Sequence, residues 1–201
     1  MELTERLAVA AANRPHPNET VSADAWSVRW ESGRCRVALV DGAGHGPAAA
    51  DAARIAIATF EDNPIAAPGD LLRLCHRQLR GTRGAVMAVA AIDVAANTLD
   101  LAGVGNIEAR LLSGGREQHP ISQRGMLGSN IPTIRPFKTT LIPGWLLVLH
   151  TDGIRTRWNL ADAAAEAVTA DALAPAILAR HARTDDDACV VVIQPASPDR
   201  Y

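Results

Sequence analysis

Four aspartates sit at the ends of apolar runs, where side chains from separate strands can meet. Asp41 follows the run 37–40, Asp152 follows 145–149, and Asp186 stands just before 188–193. Asp24 opens a segment placed to hairpin with the run that leads to Asp41, so it can reach the same sheet edge. A cluster of about four carboxylates repels itself unless cations neutralise it, and two divalent ions would balance the charge. Oxygen ligands favour hard ions, Mn²⁺ or Mg²⁺, over zinc. Two such ions about 4 Å apart can hold a bridging water as hydroxide and neutralise a phosphoryl group under in-line attack. The chemistry implied is phosphoester hydrolysis. Asp beside Gly is also a common turn or cap residue, and for each site alone that reading stands as the alternative.

The glycine loop Asp41-Gly42-Ala43-Gly44-His45-Gly46 invites comparison with a dinucleotide cradle. Its spacing is not Gly-x-Gly-x-x-Gly, and Asp41 would put an anion at the mouth of a phosphate site. The three cysteines, Cys35, Cys75 and Cys189, form no CxxC pair, are odd in number and lack an activating neighbour. That argues against a zinc knuckle, a disulfide framework or a cysteine nucleophile.

The elements that must carry these residues follow from the patterning. Extended structure is expected over 3–12, over 25–31 through the alternation Trp26, Val28, Trp30, and over 36–40. Helices are expected over 47–60, with Pro47 in the first turn, and after Pro68, where Leu71, Leu72, Leu74, Cys75 and Leu79 form a stripe. Strands at 85–94, 98–104, 107–112 and 117–121 read as an antiparallel meander, and 122–135 reads as a loop. Extended segments at 137–142 and 145–149, helices at 160–168 and 172–182, and a last buried strand at 188–193 complete the order. Strands, two helices, strands, two helices, strand is not the alternation of a parallel doubly wound sheet. It fits antiparallel sheets sandwiched between helices, in one domain spanning 1–201.

At 201 residues, 48% hydrophobic and 21% charged, the chain has the composition of a folded globular protein. A net charge of −2 offers no field for nucleic acid or anionic lipid, and 3% aromatics provide no base-stacking platform. The opening Met-Glu-Leu-Thr-Glu-Arg is acidic where a signal peptide is basic, and the apolar stretch 7–12 is too short to span a bilayer, so a cytoplasmic location is expected.

Taken together, Val40-Asp41-Gly42-Ala43-Gly44-His45-Gly46 resembles the Asp-x-x-Gly-His-Gly signature of bacterial PPM-type (protein phosphatase 2C-like) serine/threonine phosphatases, in the SpoIIE-like branch. Leu146–Gly153 is similar to that branch's apolar strand ending in Ser/Thr-Asp-Gly. Asp186-Asp187-Ala188-Cys189-Val190-Val191-Val192 is similar to its closing Asp-Asp-Ala-Thr-Val-Val-Val, and Ser22-Ala23-Asp24 to its early Gly-Asp, with Ala23 in place of glycine. The minimal size and Gly103-Val104-Gly105-Asn106-Ile107 look most like the RsbX-type stress-pathway members, which carry no attached sensor domain.

The resemblance implies an α+β fold, a four-layer αββα sandwich of two antiparallel sheets flanked by helices, with two Mn²⁺ or Mg²⁺ ions. It implies Asp41 as bridging ligand, Asp24 and the Gly42 carbonyl on one or other ion, and Asp152 and Asp186 on the second; Asp41, Asp152 and Asp186 are the catalytic set. The implied substrate is a phosphoserine or phosphothreonine protein, of the phosphorylated STAS-domain type. The rival expectation is a catalytically weak binding module of the same fold, and a third is a small-molecule phosphatase. Arg155 and Arg157 are the arginines considered for a phosphate clamp, against an exposed-surface reading. His45 is read as shaping the glycine loop, with proton transfer to the leaving oxygen as its second reading, and Asn106 as a loop organiser.

Overall fold

A computed structural model describes residues 7–131 and 133–196. Residues 3–6 of the first expected strand and Pro132 of the 122–135 loop lie outside the described residues. The order is β1 (Leu7–Arg14), β2 (Asp24–Glu31), β3 (Arg34–Gly42), α1 (Pro47–Asp62), α2 (Pro68–Gln78), β4 (Ala85–Asp93), β5 (Thr98–Val104), β6 (Glu108–Ser113), β7 (Arg116–Gln118), β8 (Phe137–Thr140), β9 (Leu146–His150), α3 (Leu160–Glu166), α4 (Ala170–His181) and β10 (Ala188–Pro195). Two antiparallel five-stranded sheets run β1-β10-β9-β6-β7 and β2-β3-β4-β5-β8. Helices flank both, giving the four-layer αββα sandwich. Among the described residues no helix is long and apolar enough to cross a membrane.

The central strands carry unbroken apolar runs, 37–40 in β3, 146–149 in β9 and 188–193 in β10, because both of their faces are covered. In β3, Val37 and Leu39 point into the core between the sheets, while Ala38 and Val40 face α1 and α2. In β9 and β10, Leu147, Leu149, Val191 and Ile193 face inward, and Val148, Val190 and Val192 meet α4. The buried face of α1 is mostly alanine, Ala49, Ala52, Ala53 and Ala56, and ends in Phe60. Small side chains let that helix lie close to the sheet. The stripe expected on α2 is buried at Leu71, Leu72, Cys75 and Leu79.

The expected meander is divided between the sheets. β4 and β5 pair in one sheet, the chain crosses through Gly105-Asn106, and β6 and β7 pair in the other. Hairpin spacing fixes local pairing but not the sheet a hairpin joins. The crossing is held where Gly105 N–H donates to the Gln123 carbonyl (2.8 Å). β7 stops at Gln118 rather than 121, two residues before Pro120, which has no N–H for a ladder. The 122–135 loop buries Leu127 and Ile134 against the α1/α2 side of the core, so it seals that layer.

Antiparallel register gathers the aspartates. Asp24 at the start of β2 pairs with Asp41 near the end of β3. In the other sheet the start of β10 lies beside the end of β9, with Val190 opposite His150, so Asp152 and Asp186 emerge together. The 15–23 connection from β1 to β2 spans the two sheets at this same end.

Candidate active site

Thr151 joins the two sheets at this end. Its Oγ1 donates to Asp24 Oδ2 (2.7 Å) and accepts from the Cys189 N–H (2.9 Å). The other Asp24 oxygen, Oδ1, is buried with no partner. Burial first, then the Asp41 charge, hold the Asp24 carboxyl well above the usual carboxylate range, and the Thr151 hydrogen bond only partly offsets them. Asp41 is pushed up to about 7 by burial and by the charges of Asp152, Asp186 and Asp187. Asp186 is raised by burial and by Asp152. Carboxylates from both sheets thus act on one another, and the effects on Asp41 all point towards protonation.

Asp187 organises the loops. Its Oδ1 accepts from the backbone N–H groups of His16 (2.9 Å) and Ala23 (3.2 Å), tying the β1–β2 connection to the start of β10, while Oδ2 is buried without a partner. Ala23 is wholly buried at this junction. Asp152 is exposed and is steered by Asn106, whose Nδ2 donates to Oδ2 (2.6 Å). Arg183 fastens the same turn, Nε donating to the Asp152 carbonyl (2.9 Å) and its N–H to the Gly153 carbonyl (2.7 Å). Gly42 is buried, with its N–H on the Ala23 carbonyl (3.0 Å).

Gly153 has a specific steric task. A Cβ there would stand 1.8 Å from the Asp187 carbonyl oxygen, which is backbone and cannot swing away. Gly153→Ala should therefore cost about 2 kcal/mol, as overpacking does, and lower the melting midpoint by roughly 4–8 °C. A variant melting with the wild type would show that the two loops are not in contact.

His45 Nδ1 lies 2.8 Å from Glu19 Oε1, and its ring stacks on His16 with centroids 5.0 Å apart. Glu19 and His16 escape a motif search because a loop from the neighbouring sheet carries them. Arg155 points away from the carboxylates, Nη1 donating to the Ala182 carbonyl beyond α4 (3.2 Å), and Arg157 is exposed. Cys35, Cys75 and Cys189 are buried; burial pushes the first two thiols up to about 12 and the third higher still, which leaves no thiolate for nucleophilic attack. A cavity of about 680 Å³ lies at the opposite end of the β2–β8 sheet, among Arg34, Asp93 and Lys138, and contains none of these residues.

Among the described residues, no three Asp, Glu, His or Cys side chains close around a single point as placed. The chemistry of the set nevertheless suits hard cations: it is all oxygen, it repels itself, and it has a buried oxygen on Asp24 with no other partner.

A search of curated proteins gives no match. A chain solved in work on the bacterial stressosome, a modular system adapted to control secondary messenger signalling, is 36% identical, with a TM-score of 0.90 over 94% of this chain and 100% of that one. RsbX in complex with magnesium is 17% identical, with a TM-score of 0.87 over 95% and 96%. The phosphatase domain of SpoIIE from Bacillus subtilis, solved with a fragment of its regulatory domain, is 18% identical; its TM-score is 0.77 over 94% of this chain and 63% of that one. The last two show the shared fold. The family model for stage II sporulation protein E (SpoIIE) matches residues 31–196, and the chain belongs to that family of PP2C-type phosphatases.

Proposed function

We propose that this chain is one catalytic domain that removes phosphate from phosphoserine or phosphothreonine on a regulatory protein, with phosphorylated STAS-domain proteins as the substrate class. The observation that carries the reading is the convergence of Asp24, Asp41, Asp152 and Asp186 from two sheets, close enough that burial and neighbouring carboxylates raise the pKa of Asp24, Asp41 and Asp186. The family supports the reaction, and the likeness to a chain from the stressosome system supports a stress-signalling partner.

In this reading two Mn²⁺ or Mg²⁺ ions would be held by Asp41, shared between them, with Asp24 and the Gly42 carbonyl on one or other and Asp152 and Asp186 on the second. When bound, the ions supply an activated water and neutralise charge on the phosphoryl group. The chain does the rest. Thr151 orients Asp24 across the sheets, Asn106 and Arg183 fix the Asp152 turn, and Asp187 holds the loop that covers Asp24. Such a supporting shell keeps ligands in place before the substrate arrives.

Phosphate release from a phosphorylated STAS-domain protein and from a short phosphoserine peptide, each with Mn²⁺ and with chelator, tests the reading. Release that requires Mn²⁺ and is at least about tenfold faster from the folded protein is expected, because surface contacts outside the reacting group add transition-state binding. Equal rates would remove the protein-surface part of the proposal. No release from any phosphoester with Mn²⁺ present would leave the binding-module reading.

A further inference from the structure

The turn after α2 presents a cation beside the glycine loop. Thr82 Oγ1 donates to the Leu79 carbonyl (2.7 Å) and accepts from the Gly84 N–H (3.0 Å), which locks residues 79–84. The Gly84 carbonyl in turn accepts from the Ala43 N–H (3.0 Å), docking the turn two residues beyond Asp41. Arg83 stands on this clamp with an exposed side chain. Its guanidinium lies over Gly44, where a Cβ would come within 2.8 Å of Nη1; Gly44 also has φ +89, a conformation that side chains disfavour.

Arg83 combines this place over Gly44 with uncommitted donors. Three other arginines at this end are tied to the backbone: Arg14 to the Asp186 carbonyl (3.4 Å), Arg183 to the Asp152 carbonyl and Arg155 to the Ala182 carbonyl. Among the described residues Arg83 makes no hydrogen bond and no ion pair. It does not offset the acid cluster either, since the charges that act on Asp24 and Asp41 are all acidic. A fixed turn, a glycine that leaves room and a free planar fork over the glycine loop suit a phosphate ester.

We propose that Arg83 is a substrate-binding residue whose guanidinium takes the oxygens of the phosphoryl group as it enters beside Gly44. The proposal rests on the phosphatase reading above. Because the contact is present before reaction begins, its loss should raise KM more than it lowers kcat.

The test compares full-length wild type, Arg83→Gln and Arg83→Lys, each loaded with Mn²⁺. Calorimetry measures binding of inorganic phosphate, steady-state kinetics with p-nitrophenyl phosphate give KM and kcat, and Mn²⁺ titration gives metal affinity. Arg83→Gln should weaken phosphate binding about tenfold and raise KM by a similar factor, the size of one charge-assisted contact, with Mn²⁺ affinity unchanged. Arg83→Lys should recover part of the loss, since it restores charge but not the fork. Wild-type phosphate affinity in Arg83→Gln overturns the assignment, as does a parallel loss of Mn²⁺ affinity, which would make Arg83 a support for the loop. Normal turnover with a silent Arg83→Gln removes this inference alone. Arg83-dependent phosphate binding without turnover removes the phosphatase reading alone, and a wild type that does neither removes both.

Discussion

Asp41→Asn should lose turnover by on the order of a hundredfold or more while the protein stays folded, and Asp152→Asn should do the same with a smaller loss of metal. Asn keeps the size and one carbonyl oxygen but removes the charge. At Asp41, the proposed bridge, the loss weakens both ions at once; at Asp152 it weakens one. The metal-free stability separates this from a turn role. Burial first, then the acidic neighbours Asp152, Asp186 and Asp187, push the Asp41 carboxyl up to about 7, so a neutral side chain there removes a poorly solvated, repelled charge and the apo melting midpoint should stay level or rise. A structural turn aspartate predicts the reverse, lost stability with activity kept in the folded fraction. Melting curves beside Mn²⁺ titrations of the two variants decide, and wild-type turnover by folded Asp41→Asn would sink the assignment.

The architecture was legible where periodicity and punctuation agree. The apolar runs at 37–40, 145–149 and 188–193 could be read as buried strands, and the aspartates at their ends as neighbours, because the pleat and antiparallel pairing leave few other arrangements. The division of the supposed meander between sheets was not legible, since β4–β5 and β6–β7 look alike in local pattern and differ only in which layer they join. The supporting groups were hidden for a related reason. Thr151 and Asp187 were in view within the motifs, but their partners, Asp24 and the Ala23 N–H, lie 127 and 164 positions away along the chain. Arg83 belongs to no motif; only the docking of its turn on Ala43 brings it to Gly44. Arg155, by contrast, is near Asp152 in sequence and is turned towards the end of α4.

The same cluster should make the metal-free protein less stable as pH rises. Asp41 has a folded pKa of about 7 against an ordinary 3.8, and Asp24 and Asp186 are raised as well. Between those values the folded state holds protons that the unfolded chain has released, so stability is full below about pH 4 and is lost as pH climbs through 7. From Asp41 alone the loss is on the order of 4 kcal/mol. His181 acts in the opposite sense: partial burial and the nearby arginines lower its pKa, and the stability it withholds in acid returns towards neutrality. Glu108, lowered chiefly by its bond to His150, also works against the trend, but below about pH 4.5. The Asp41→Asn variant separates these contributions, because it leaves His181 and Glu108 in place while removing the steepest component. Melting midpoints in chelator from pH 5 to 8 should therefore fall in the wild type and fall less in Asp41→Asn. Saturating Mn²⁺ should lift the wild-type midpoint most at pH 8, where the carboxylates are charged and bound cations neutralise them. A wild-type midpoint that is flat across this range in chelator, or one raised by Mn²⁺ equally at pH 5 and 8, would mean that the four carboxylates do not share one electrostatic site.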